Sequence, residues 1–181
     1  MSNPSHSGYP PYSYVPGHFP HPISDPAGHS FGASVPNPEP LDPANWQAST
    51  EYLRGIELFN HGYYWEAHEV WESLWHAAGR TGLIADFLKA LIKLAAAGVK
   101  VREGNAAGVA AHARRAEQLF RQVAEARDAD ANNSYRLGCD LEQLIAFANL
   151  IASSPPVARP IQSPSPVAIV FNQSLVIGNG I

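Results

Sequence analysis

The sequence predicts an all-α fold, an antiparallel bundle of about five helices, and three observations carry that expectation. All sixteen prolines lie outside residues 44–154. Proline inside a helix removes a hydrogen bond and clashes with the preceding turn, so a proline-free window dense in Ala and Leu reads as helical. Within the window apolar residues recur at three- and four-residue spacing, and Gly, Asn and Asp stand where helices would stop and restart.

The first helix is expected from about Trp46 to Asn60, with Tyr52, Ile56 and Phe59 on one face and Gly62 as its left-handed stop. The second follows at once, from about Tyr63 to Ala77, ending before Gly79. Thr81 is the expected cap of a third helix whose apolar positions Leu88, Leu91, Ile92, Ala95 and Val99 keep the period until Gly104. Asn105 then restarts the chain almost without a loop. So short a turn predicts an antiparallel hairpin of helices three and four, its facing surfaces Ala95–Ala97 and Ala110–Ala111 small enough for close approach. A polar loop, Asp128–Ser134, separates these from a fifth helix, for which Asp140 and Gln143 form a capping box.

Residues 1–45 hold eleven prolines and four histidines, a composition that favours extended or polyproline-type chain. Tyr9, Tyr12, Tyr14, Phe19 and Phe31 argue against a solvated tail, because disordered segments are poor in rings. The arm is therefore expected to dock on the helical domain, residues 46–153, over part of its length. Residues 154–181 form a Pro- and Ser-rich tail in which Val167–Phe171 and Ser174–Ile177 read as short strands. An isolated two-stranded ribbon is barely stable, so such a tail docks on its own body or on a partner chain, as in a homo-oligomer, or stays mobile.

The net charge of −4, with Lys and Arg interspersed among Asp and Glu, offers no basic stripe and disfavours nucleic acid. Cys139 is the only cysteine, which excludes an intrachain disulfide, a zinc ribbon and a Cys-X-X-Cys pair and fits a reducing cytoplasm. Met1-Ser-Asn-Pro-Ser-His6 lacks a signal-peptide pattern, and the longest apolar stretch, Ala90–Val101, is interrupted by Lys93 and Lys100, so neither secretion by that signal nor a membrane span is expected.

The chemistry concentrates in the second helix. At about 100° per residue, Tyr64, His68, Trp71, Glu72 and Trp75 share one face, Glu69 lies to its side, and Glu66 and Ser73 point the opposite way, towards solvent. His68 and Glu72 are stacked one turn apart among indole and phenol rings, where a carboxylate costs several kcal/mol unless paired, hydrogen-bonded or bound to a cation. Histidine and glutamate at i and i+4 can reach one ion, although the fourth residue after His68 is a glutamate, so the zinc-protease motif is absent. Two ligands do not close a site, and His21 or His29 of the arm could complete the sphere of a divalent metal ion. The same acid and base could serve proton transfer as catalytic groups, His68, Glu69 and Glu72, while Tyr64, Trp71 and Trp75 could line a pocket for a small polar ligand. No Gly-X-Ser-X-Gly elbow accompanies them.

The run Phe59-Asn-X-Gly-Tyr-Tyr-Trp-Glu-Ala-His-Glu-Val-Trp-Glu-X-Leu-Trp75, followed by Phe87-Leu-Lys-Ala-Leu-Ile-Lys-Leu-Ala-Ala-Ala97 and Arg102-Glu-Gly-Asn105, resembles the DUF309 family over about residues 47–152. The resemblance implies a bundle of antiparallel helices and no particular activity. Its signature positions fall on Gly62, His68, Glu69, Glu72, Trp75, Gly104 and Asn105. Turn chemistry accounts for Gly62, Gly104 and Asn105, which leaves His68 and Glu72 to explain. The arm from Pro10 to Ser30 is similar to an extension on longer members, and that implies order over residues 9–32. The sequence thus supports a half-buried His/Glu site for a metal ion or small polar ligand, with hydrolysis as one use. It leaves open whether the protein is an enzyme. The alternative is an interaction or scaffold module in which His68 and Glu72 are structural.

Overall fold

The computed structural model describes residues 8–34, 37–129, 137–156 and 165–178. Its described residues form five α-helices and no strands: α1 (Thr50–Asn60), α2 (Tyr64–Ala77), α3 (Leu83–Arg102), α4 (Ala106–Ala129) and α5 (Leu141–Ser153), preceded by a 3-10 turn over Trp46–Ala48. Each helix packs on the next in the chain, and the brief connections among the first four make those neighbours antiparallel. Trp71, Tyr52, Tyr64, Phe59, Phe87 and Phe120 are the largest fully enclosed side chains of a single core.

The helix ends follow local chemistry. Ser49, not the chain near Trp46, starts α1: its hydroxyl accepts from the Tyr52 amide at 3.2 Å, whereas no side chain caps the turn at Trp46. The expected cap Thr81 is exposed, and Gly82, at φ 89°, occupies the N-cap of α3 without a side-chain hydrogen bond. The turn ahead of it already runs left-handed at Gly79 (φ 73°) and Arg80 (φ 66°), a path that carries Thr81 past the capping position. Asn105 caps α4 as expected, accepting from the Gly108 amide at 2.8 Å. The α3/α4 hairpin forms, but Ala111 is exposed. The buried stripe of α4 is Val109, Ala113, Ala116 and Phe120. Of the expected loop Asp128–Ser134, residues 130–134 lie outside the described residues.

Asp140 accepts from the amides of Glu142 (2.9 Å) and Gln143 (3.2 Å), and the Gln143 side chain donates back to its carboxylate at 3.1 Å. Asp140→Ala is expected to destabilise the protein by about 1 kcal/mol, read as a lower urea midpoint at unchanged slope.

Both flanks lie on the bundle. Tyr9 stacks on Tyr63 at 5.2 Å and donates to Glu57 at 2.6 Å, Tyr63 donates to the Pro10 carbonyl at 3.0 Å, and Val15 is 1 % exposed. The described tail residues, 165–178, carry no strand. The backbone groups that a ladder would use go instead to side chains: Asn60 accepts from the Leu175 amide at 2.7 Å and donates to its carbonyl at 2.9 Å, and the Tyr64 hydroxyl accepts from the Val170 amide at 3.0 Å. Phe171 is buried among Phe59, Tyr64 and Phe147. The flanks also touch each other: the Ser13 amide donates to the Pro166 carbonyl at 2.9 Å, and Arg102 of α3 donates to the carbonyls of Ser13 (3.0 Å) and Ser165 (2.6 Å).

Candidate functional site

Helix α2 presents three faces. Tyr64, Ala67, Trp71 and Leu74 turn into the core. The Trp71 indole donates to the Tyr52 carbonyl at 3.4 Å and lies against Gly55, while the Tyr64 ring lies against Gly98, where a Cβ would meet it at 2.5 Å. Gly55 and Gly98 are therefore places where helix backbone passes close to a ring, and the rings are walls of the bundle. Tyr64 and Trp71, expected to line a ligand pocket, are 1 % and 0 % exposed. Trp75 alone of the three is half-buried, with Lys89 and Arg80 cations 5.5 and 5.6 Å from its ring.

The second face carries Glu66, and here the sequence expectation is overturned. Glu66 is buried, not solvated, because the arm covers it. Its Oε1 accepts from the Tyr14 amide at 2.9 Å and meets His29 Nε2 at 3.2 Å, with both side chains 7 % exposed. Burial pushes the Arg102 guanidinium down from its ordinary range, with the Glu66 charge opposing that shift, so Glu66 and Arg102 share one field. Helical periodicity can tell one face from another but not what covers it. The signal for this contact lay in the arm, whose histidines the sequence directs to helix two, although to His68 and Glu72 rather than to Glu66.

The third face holds the His68, Glu69 and Glu72 cluster. All three are half-buried, and one ligand atom from each lies within 4.8 Å of the others. His68 Nδ1 is 3.3 Å from Glu69 Oε1. Consecutive positions 68 and 69 with 72 one turn on place an imidazole and two carboxylates on the edge of a well-packed helix, so the bundle holds their spacing. Glu69, read as a neighbour at the side, is thereby a full member.

The structure brings neither His21 nor His29 to this cluster. Positions 66 and 68 point nearly opposite ways round the helix, so His29 on Glu66 is on the far side, and its Nδ1 is engaged by the Ser30 hydroxyl at 2.9 Å. His21 comes closer, packing edge-on to Trp65 at 5.5 Å beside Tyr14, but its Nδ1 accepts from the amides of Ile23 and Ser24 at 3.3 Å. It holds the arm's own turn. Cys139 is no substitute nucleophile, since burial pushes its thiol up and leaves it protonated.

His112 of α4, absent from the sequence reading of the site, is half-buried near His68. Burial first, then the Lys93 and Lys100 charges, hold its imidazole below the usual histidine range, so it is neutral at neutral pH.

Residues 52–111 match a family model described as a domain of unknown function, DUF309. That segment is similar to DUF309 domains. It runs from α1 into α4 and contains Gly62, His68, Glu69, Glu72, Trp75, Gly104 and Asn105, the positions on which the resemblance rested. The matched segment thus supplies the cluster, whereas His112, one residue beyond its end, lies outside it together with the arm, the tail and α5. No curated protein matches the chain. No helix among the described residues is long and apolar enough to cross a membrane.

Proposed function

We propose that the DUF309-like domain binds one first-row divalent metal ion through His68, Glu69 and Glu72 and uses it on a small polar ligand, with hydrolysis as the reaction class. The observation that carries this reading is the convergence of three ligand atoms within 4.8 Å on one helix edge. An imidazole with two carboxylates suits zinc, manganese or iron better than magnesium or calcium, which favour all-oxygen sets. Three protein ligands leave coordination positions open, as catalytic rather than structural sites do, and half-burial leaves them accessible. When bound, the ion would supply Lewis acidity and an activated water. The chain's own residues fix its position and exclude solvent on the core side. A lone, half-buried cysteine is consistent with action in the cytoplasm.

Calorimetric titration of tag-free protein with Mn²⁺ and Zn²⁺ tests the reading. One ion per chain is expected, with affinity lowered about tenfold or more in His68→Ala and Glu72→Gln at unchanged helix content. Absence of binding and of any thermal shift with divalent ions would sink it. The scaffold alternative requires both variants to lose stability with no binding defect to uncover.

A further inference from the structure

Three helices come level beside the cluster. The Lys89 ammonium stands 5.5 Å from the Trp75 ring, and seven residues back along α2 and seven on along antiparallel α3 bring His68 level with Ala96. Lys100 lies against Gly108, where a Cβ would meet Lys100 Cδ at 3.0 Å. Four residues back along α3 and four on along α4 bring Ala96 level with His112. The small side chain of Ala96 therefore separates the two imidazoles, with Lys93 and Lys100 one turn to either side on the same α3 face. The charged groups acting on half-buried His112 agree with that register: Lys93, Lys100, His68 and Glu103.

The charges on this face do not cancel once an ion is present. Lys100 is matched by Glu103 at 2.6 Å, while Lys93 and, one turn away, Lys89 have no carboxylate partner among the described residues. Lys89 lies against the Trp75 ring, and a divalent ion offsets Glu69 and Glu72, which leaves the Lys93 ammonium uncompensated beside the cluster.

Resting on the metal reading above, we propose that the face shared by α2, α3 and α4 beside the cluster binds the anionic end of a small phosphate-bearing molecule, held between the ion at His68, Glu69 and Glu72 and the ammonium of Lys93. His112 of α4 is its further hydrogen-bonding partner. Phosphate suits this face better than a carboxylate because its oxygens spread over three directions and can meet the ion and donors from two helices together.

Titration of the full chain with orthophosphate, with and without saturating Mn²⁺, tests this. Phosphate is expected to bind about tenfold or more tightly with the ion present, and Lys93→Gln to weaken it about tenfold while Mn²⁺ affinity stays within about twofold. If Mn²⁺ binds but phosphate does not, or Lys93→Gln matches the wild type, the inference falls and the metal site stands. Acetate binding as tightly as phosphate overturns the phosphate assignment. Failure of Mn²⁺ itself to bind removes both.

Discussion

His29→Ala is expected to free the arm from the bundle. The substitution leaves the Glu66 carboxylate buried with only the Tyr14 amide and the more distant Arg102 charge to favour it. Removing one partner of a buried pair costs about 3–5 kcal/mol when the remaining charge cannot reach water. Here it can, if residues 9–31 lift away, so the cost cannot exceed that of undocking the arm. Hydrogen exchange should show the Tyr14 amide losing protection while α3 and α4 keep theirs, together with a lower Tm. Replacing both partners, as in His29→Leu with Glu66→Leu, should recover part of the loss, because no buried charge is left behind. Unchanged exchange in His29→Ala would mean that the rings of the arm, not the His29–Glu66 contact, hold it down.

Phe171→Ala carries the second large effect. Its ring meets Phe59 at 5.7 Å, Tyr64 at 5.3 Å and Phe147 at 5.6 Å, and so joins α1, α2 and α5. Truncating a buried phenylalanine costs about 3–5 kcal/mol, moderated where the site can collapse or the segment can leave. About 3 kcal/mol is expected by urea denaturation, accompanied by faster exchange of the Leu175 amide that Asn60 holds. A loss below about 1 kcal/mol would show that the tail adds little to the fold.

The bundle was legible in the sequence because helix formation is local. Proline exclusion, the three- and four-residue spacing and the caps at Asn105 and Asp140 are all read within a few residues, and the structure repeats them. The errors at Trp46, Thr81 and Ala111 are also local, where one capping or packing option displaced another of similar strength. The site was half legible. That His68, Glu69 and Glu72 lie close together follows from helix geometry alone, whereas His112 and Lys93 join them only through the packing of α2, α3 and α4. Glu66 was misread for a complementary reason: its partner is 37 residues away in an arm without periodic structure. Nothing in a helical wheel distinguishes a face met by water from one met by the chain's own extended segment.

Arg102 gives the flanks a shared fate. One guanidinium holds a carbonyl of the arm and a carbonyl of the tail, and the two segments join directly through Ser13 and Pro166. Their docking should therefore be cooperative, each end lowering the entropy lost by the other. A protein trimmed at either terminus would loosen at both, and one reduced to residues 52–111 would expose the ring surfaces of Tyr63, Trp65 and Phe59 together, an apolar patch prone to association.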